Sequence, residues 1–506
     1  MKLLRRSLSL ILALLMVLAL AACTPGSEPI TDSEGKGDAS NPEGGNGGGI
    51  QDKVESFVLP DRPTRDTEGN TYVVIQFQEV DNPFKYSQDS RMGEKVAERI
   101  LEVQELYGCL LEFEQVAEDN FVNAMQSRIY SDNAGDLIFA DINDKLRRTC
   151  GTGGSESLMQ DLLQVDHIIN FWDMEKWGNI TAREAMMAGG TFYGVTPALW
   201  LDYTPLPYYL FAYNKDMLVQ FDATDPQEYW ENEAWDRDAM LDVITSCYDD
   251  SGSETVWGLT ARVQHMTRAS FLATGIDLVT VDKVNADGSV EWTNGLLTPE
   301  AKEALQWLVN SIKTNQRYFN NGQPDSPWGP WFGHEPFLDG LCAMCSTRPK
   351  GLFDEIVTGA PFSFGVTLWA GSDPNMVTGF YEDVCSVAIP VFAQNVEHSA
   401  FLMYDLFEGL DGIESYEDVM KYYRENYFET DLDVEYLIRD GASLQYSYWP
   451  NGVDEIYSMI NSRLMTASSV SALIDRSAVT VDDLIEEHVL PNKVTLNQWQ
   501  AAGYFD

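Results

Sequence analysis

The residues that most restrict this chain lie in one alternation near its beginning. Residues 72–77 (YVVIQF) form an apolar run entered from a turn-rich segment, which predicts a strand. Residues 94–107 then place Val96, Ile100, Val103 and Leu106 or Tyr107 at helical spacing, and Gly108 offers the conformation that ends a helix. Leu111 and Phe113 alternate with Glu112 and Glu114 as a second strand, residues 121–130 read as a short helix, and residues 136–140 (DLIFA) as a third strand. Strand, helix, strand, helix, strand predicts an α/β fold built on a mostly parallel sheet covered on both faces. Such a sheet binds ligands beyond the carboxyl ends of its strands.

What precedes this alternation is of another kind. Lys2, Arg5 and Arg6 form a basic head, residues 10–22 are uninterruptedly apolar, and Cys23 follows Leu20-Ala21-Ala22. The apolar run is shorter than the roughly 17–25 residues that a spanning helix requires, so it reads as an export signal. A leucine three positions before a cysteine, with two alanines between, resembles a bacterial lipoprotein signal. That resemblance implies cleavage after residue 22, acylation of Cys23 and a lipid-anchored chain on the extracellular face of the cell membrane. Residues 23–65 are rich in Gly, Ser, Asn, Pro, Asp and Glu, especially before residue 52, and read as a flexible linker that holds a folded body off a surface.

About 450 residues remain, beyond the size at which a single core usually stops growing, so two domains are expected. The net charge of −46, from 79 acidic and 33 basic side chains, argues against nucleic acid as a partner, because nucleic acid is itself a polyanion. Metal chemistry is equally poorly supported. Cys342 and Cys345 lack the second half of a four-cysteine site, and the run 341–347 looks strand-like, which would turn the two sulfurs to opposite faces. The five histidines form no ligand-spaced cluster, and Asp282 to Gly288 lacks the glutamate of an EF-hand loop. Asp287-Gly288 instead predicts a hairpin turn between residues 278–281 and 290–292. No metal and no cofactor are expected.

Further along, residues 210–218 read as a strand running into a turn, and Thr298-Pro299 as the capped start of a helix whose apolar face holds Ala301, Ala304, Leu305, Leu308, Val309 and Ile312. Strands are expected at 362–369 and 384–389, helices at 400–409 and 479–488.

Three features together resemble a known family: the lipoprotein leader ahead of the start containing AGDLIFA (134–140); TFYGVTPALW (191–200) followed by YYLFAYNKDML (208–218); and the order FLDGLCAMC, FSFGVTLWAG, VCSVAIPV in the second half. They look like the extracellular solute-binding proteins of sugar-type ABC importers, over most of the chain from residue 72 onward. The resemblance implies a two-lobed, periplasmic-binding-protein-like fold of type II, each lobe a central sheet flanked by helices and joined by a multi-crossing hinge. Lobe 1 would hold 66–190 and 370–410, and lobe 2 would hold 191–369 and 411–506. It implies a monomeric receptor that binds a small carbohydrate and hands it to ABC permease subunits in the membrane.

A sugar presents apolar C–H faces and a ring of hydroxyls, so its receptor needs aromatic plates and fixed polar groups. The aromatics near the inferred crossings and in the irregular stretch before residue 342 are Trp200, Tyr203, Tyr208, Trp328, Trp331, Trp369 and Tyr381. The polar candidates just past the first and third strands are Gln78, Glu79, Asn82, Asp141 and Asn143. A lone aromatic is more often core than plate, and a lone polar residue more often a turn or cap. Segments 143–171 and 314–334 look irregular or inserted against the family pattern. Two other readings stand beside this one. A glycoside-processing enzyme would need two carboxylates at set spacing, but GxSxG, HExxH and P-loop patterns are all absent, and 79 acidic residues make chance pairs common. A surface lipoprotein that binds a polymer or protein without feeding a transporter would carry the same anchor and linker.

Overall fold

The computed structural model of the chain describes residues 58–63, 70–77, 93–117, 121–131, 135–141, 158–178, 184, 186–200, 210–261, 263–315, 319–320, 334–347, 352–373, 377–378, 385–391, 393–428, 460, 463–464, 467 and 469–502. Elements appear in the order β1 (Thr71–Phe77), α1 (Gly93–Tyr107), β2 (Leu110–Val116), α2 (Phe121–Tyr130) and β3 (Leu137–Asp141). A short helix α3 (Met174–Trp177) and the small hairpin β4 (Met187–Ala188) and β5 (Thr191–Phe192) follow. The next stretch runs β6 (Leu210–Asn214), α4 (Lys215–Gln220), α5 (Arg237–Ser246), β7 (Trp257–Thr260), α6 (Val263–Leu272), β8 (Val279–Val284), β9 (Val290–Asn294), α7 (Pro299–Thr314), β10 (Phe319–Asn320), β11 (Cys342–Thr347), β12 (Phe364–Ala370) and β13 (Val377–Thr378). Last come β14 (Cys385–Ala388), α8 (Val396–Leu406), α9 (Tyr416–Tyr427), α10 (Val470–His488) and α11 (Leu490–Ala501).

Two mixed sheets organise these elements. The first has the order β14-β3-β1-β2 and the second β10-β7-β11-β6-β12-β13. In the first, β1 pairs parallel with β2 (Val74↔Phe113) and with β3 (Ile75↔Ile138), while β14 returns antiparallel along β3 (Ser386↔Ala140). In the second, β7 pairs parallel with β10 and β11, and β6 runs antiparallel between β11 and β12. Each sheet thus places its second, first and third parallel strands in that order with a counter-running strand beside the third; this strand ends the row in the first sheet, whereas in the second the row continues to β12 and β13. This is the α/β architecture that the opening alternation predicts, built twice. The hairpin β8–β9 forms a separate two-stranded ribbon.

Local chemistry explains most boundaries. Gly108 ends α1 with φ of 64°. The Thr298 hydroxyl accepts from the amide of Ala301 with Pro299 next in line, and all six residues of the expected apolar face of α7 are buried. After β6 the chain does not merely turn: the Asn214 side chain accepts from Met217 N at 2.9 Å and starts α4. α10 begins nine residues before the expected 479, because Ser469 caps it, and α11 follows with Pro491 in its first turn.

Alternation along the strands divides the core. Leu210, Ala212, Val366 and Leu368 put one face of the second sheet into the cluster that also holds Val74, Ile75, Phe139 and Val387 of the first sheet and Val96, Met125, Leu402 and Val419 of α1, α2, α8 and α9. Phe211, Tyr213, Met344 and Trp369 point the other way, onto Val243, Met266, Leu305 and Leu473 of α5, α6, α7 and α10. Cys109, Cys247, Cys342 and Cys345 are all buried. Among the described residues no helix is long and apolar enough to cross a membrane. Cys23, like all of residues 1–57, lies outside the described residues.

Candidate ligand-binding site

Parallel strands gather their carboxyl ends at one edge of a sheet, and that edge is where an open α/β sheet can accept a ligand. In the first sheet the edge is marked by the ends of β1 at Phe77, of β2 at Val116 and of β3 at Asp141, with the start of β14 beside it through the pair Cys385↔Asp141. In the second sheet it is marked by Thr260, Thr347 and Ala370 at the ends of β7, β11 and β12, with the start of β6 at Leu210.

The chain passes toward the second sheet through residues 187–200, and this passage is tightly held. The turn of β4–β5 is Gly189-Gly190, with φ of 61° and 81°, the double left-handed conformation of a two-residue hairpin. Gly190 N donates to Asn492 Oδ1 at 2.8 Å, and a Cβ on Gly190 would stand 2.7 Å from Thr495 Oγ1. Val195 exchanges backbone hydrogen bonds with Val387 at 3.0 and 2.8 Å, which lays the passage against β14. Thr196 Oγ1 and Ser386 Oγ then meet at 2.9 Å, both buried, close to the ligand edge of the first sheet. Ala198 N donates to Lys176 O, and Trp200 Nε1 donates to Glu408 O at 3.2 Å.

One buried cation underlies this passage. The Lys176 side chain is 5% exposed, lies 3.4 Å from the centre of the Tyr404 ring, and donates to Glu408 Oε2 at 3.1 Å. Burial lowers its pKa, and Glu408, Asp173 and Asp405 pull it back up. The arrangement joins α3 to the segment following α8 and leaves the ammonium turned inward. Among the described residues no group of three or more His, Cys, Asp or Glu side chains could hold a metal ion.

The sequence-derived candidates fall unevenly on this frame. Gln78, Glu79, Asn82, Asn143, Tyr203, Tyr208, Trp328, Trp331 and Tyr381 lie outside the described residues. Asp141 is the last residue of β3, so its backbone stands at the ligand edge. Trp200 is 2% exposed with its ring 4.9 Å from that of Phe407, and Trp369 is 1% exposed with its ring 5.5 Å from that of Phe211. The structure therefore sets both tryptophans into packed cores. Thr196, Ser386, Lys176 and Glu408 were not singled out from the sequence. Thr196 and Ser386 do sit inside two of the quoted motifs, TFYGVTPALW and VCSVAIPV, but a contact between residues so far apart leaves no periodic trace.

No family model matches the chain, and no curated protein matches it. Solved structures do. An ABC substrate-binding protein from Listeria monocytogenes in complex with cycloalternan is 16% identical, covering 83% of this chain and 98% of its own, with a TM-score of 0.51. The sugar-binding protein MalE from Xanthomonas citri is 13% identical over 82% of this chain and 98% of its own, with a TM-score of 0.54. A cyclic alpha-maltosyl-1,6-maltose binding protein from Arthrobacter globiformis is 13% identical over 85% and 100%, with a TM-score of 0.51. At these identities the likeness shows the fold: two sheet-centred halves of the solute-binding-protein kind.

Proposed function

We propose that the chain is the substrate-capturing receptor of an ABC import system, binding a neutral sugar or oligosaccharide between the ligand edges of its two sheets and delivering it to a membrane permease. The observation that carries this reading is the extent of the likeness. Several such binding proteins are matched over 98–100% of their own length by 82–85% of this chain. The partition into lobes, 66–190 with 370–410 and 191–369 with 411–506, belongs to the same proposal, as does hinge closure over the ligand.

The contact residues proposed are those the sequence selects beside the two edges. Gln78, Glu79, Asn82, Asp141 and Asn143 would supply acceptors and donors from the first sheet. Trp200, Tyr203, Tyr208, Trp328, Trp331, Trp369 and Tyr381 are the candidate plates, with Trp200 and Trp369 requiring movement of the core that covers them. The body would act as a monomer, tethered through lipid on Cys23 to the extracellular face of the membrane, and would bind without catalysis.

A thermal-shift screen of the full chain against neutral sugars, amino sugars, short peptides and divalent cations tests this. One related group of sugars should raise the unfolding midpoint progressively with concentration, as linkage requires. A shift from peptides or cations alone would overturn the carbohydrate assignment. Alanine at Tyr203 or Tyr208 should weaken sugar binding at least tenfold if those rings are plates. A polymer-binding lipoprotein outside transport would respond to long glycans and to none of the short ones.

A further inference from the structure

Arg237 opens α5 and is fixed from three directions. Its amide donates to Gly371 O at 2.9 Å, just beyond β12. Its Nη1 donates to Glu303 Oε2 at 2.9 Å, and its guanidinium lies 5.3 Å from the centre of the Trp307 ring. The Arg237 side chain is 5% exposed, whereas that of Glu303 is 62% exposed and stands on the solvent side. Trp369, next to last in β12, meets the same Trp307 ring edge-on at 6.4 Å. Trp307 is thus a wall common to the guanidinium and to the indole of Trp369.

Three donors in this cluster are buried with no hydrogen-bond partner among the described residues: Arg237 Nε, Arg237 Nη2 and Trp369 Nε1. A buried donor without an acceptor costs free energy, and a charged one costs more, so such a cluster needs a reason. Asp236 and Glu303 leave Arg237 Nε and Nη2 unmet. Asp236 accepts from the amides of Asp238 and Ala239 and so caps α5, and Glu303 holds Nη1. The Nε–Nη2 edge is the side of a guanidinium that presents two parallel N–H groups, the geometry that takes both oxygens of one carboxylate.

We propose that Arg237 and Trp369 form a binding site for a small monocarboxylate, held side-on by Arg237 Nε and Nη2 and by the indole N–H of Trp369. The net charge of −46 selects for a single negative charge over phosphate or polycarboxylates, which the surrounding field repels more strongly. Trp369 pairs with Thr378 in β13, immediately before the chain continues to β14 in the first sheet. A bound carboxylate would therefore tie α5 to β12, the strand paired with the one from which the chain passes between sheets. Trp369 is also among the proposed sugar plates, but the carboxylate is held by Arg237 and the indole N–H and is read without sugar, so the two proposals can fail separately.

The test uses the full chain without sugar, titrated with sodium acetate and sodium benzoate at an ionic strength held constant with chloride. One of the two carboxylates should raise the unfolding midpoint saturably while chloride alone does not. Arg237→Lys keeps the charge and loses the fork, so the apparent affinity should fall at least tenfold. Trp369→Phe keeps an aromatic ring and loses the N–H, so it should fall several-fold, and it serves as the second reading if the lysine variant folds poorly. Absence of any saturable carboxylate response, or a wild-type response in both variants, overturns the site. A crystal structure grown in acetate in which water alone meets all three donors overturns it as well. Stabilisation by sugars is read separately and decides only the receptor assignment.

Discussion

The first sheet takes one of its four strands, β14, from a distant part of the chain and is stitched by buried charge, whereas the second is drawn from one nearly continuous stretch, 210–378, and is held mainly by apolar packing. Around the first sheet, Asp405 is 4% exposed and takes Arg62 Nη2 at 2.6 Å, Arg62 Nε at 2.9 Å and the hydroxyl of Tyr107. Burial and Asp405 together raise the pKa of Tyr107. Arg99 Nη2 donates to Gly409 O at 2.7 Å, and Asp136 Oδ2 accepts from Val73 N at 2.9 Å. Around the second sheet, α5, α6, α7 and α10 bring mainly Val, Leu, Ile, Met and Ala, and the thiols of Cys247 and Cys342 are both pushed up to about 12 by burial. Neighbours in sequence need only fit together. Strangers in sequence need contacts that accept one partner and refuse others, which directional charged hydrogen bonds provide.

The largest expected effect comes from violating the packed side of this comparison. A Cβ on Gly258, in β7, would land on the carbonyl oxygen of Ile244 in α5. Gly258→Ala should destabilise the protein by about 3 kcal/mol, read from urea unfolding, since neither backbone can give way cheaply. A cost below about 0.5 kcal/mol, on the scale of an ordinary surface change, would mean that the contiguous half is loosely fitted. On the stitched side, Asp405→Ala leaves the Tyr107 hydroxyl without this acceptor, while Arg62, whose side chain is 39% exposed, recovers water. The expected cost is about 2 kcal/mol. Cleavage at residues 58–63 by a protease should become faster at the same time, because that segment would keep the packing of Leu59 but lose the bonds of Arg62 to Asp405.

A helix cap should matter less. Thr298→Ala removes the oxygen that accepts Ala301 N at the start of α7, for about 1 kcal/mol in the same measurement. This residue also shows how much of the fold the sequence displays. Thr298, Pro299 and the buried face of α7 are local signals, as are the first five elements and the β8–β9 hairpin, and all of them were legible. The start of α10 at Ser469 and the helix α11 were not read, since serine caps resemble any other serine and Pro491 resembles a stop. The candidate site was legible only in part. Its proposed position beyond the strand ends rests on the alternation of strands and helices, which is visible in the sequence. The buried groups that hold the passage 187–200 do not, because Thr196–Ser386 and Lys176–Glu408 join segments roughly two hundred residues apart, and Arg62–Asp405 is 343 residues apart. Trp369 shows the limit from the other side: an aromatic at the expected place can be a core residue whose only polar atom is the informative one.

A smaller effect belongs to pH. Burial raises the pKa of Asp136 above 3.8, opposed by hydrogen bonds from the amides of Val73 and Gln394. Between 3.8 and that raised value the folded chain keeps a proton that the unfolded chain has released. The group's contribution to stability therefore falls as pH rises through that interval. Asp136→Asn keeps an acceptor for Val73 N and removes the titration, so its stability should vary less with pH just above 3.8 than that of the wild type.

Lys176 separates a stitch that is needed from one that is merely present. Its partner Glu408 is 44% exposed, so removing the ammonium returns that carboxylate to water and does not strand it, unlike the loss of Asp405 beneath Tyr107. Lys176→Met keeps a long, flexible side chain over the Tyr404 ring and drops the desolvation of a charge, so the change should stay within about 1 kcal/mol at neutral pH. Because burial lowers the folded pKa of Lys176 below its ordinary 10.5, the unfolded chain binds more protons in the interval between the two values. Wild-type stability then rises relative to the methionine variant as pH increases through that interval, which urea unfolding at several alkaline pH values measures. A loss of several kcal/mol at neutral pH would instead place Lys176 beside Asp405 among the contacts that fix distant segments, and would make the passage toward the second sheet as dependent on buried charge as the first sheet itself.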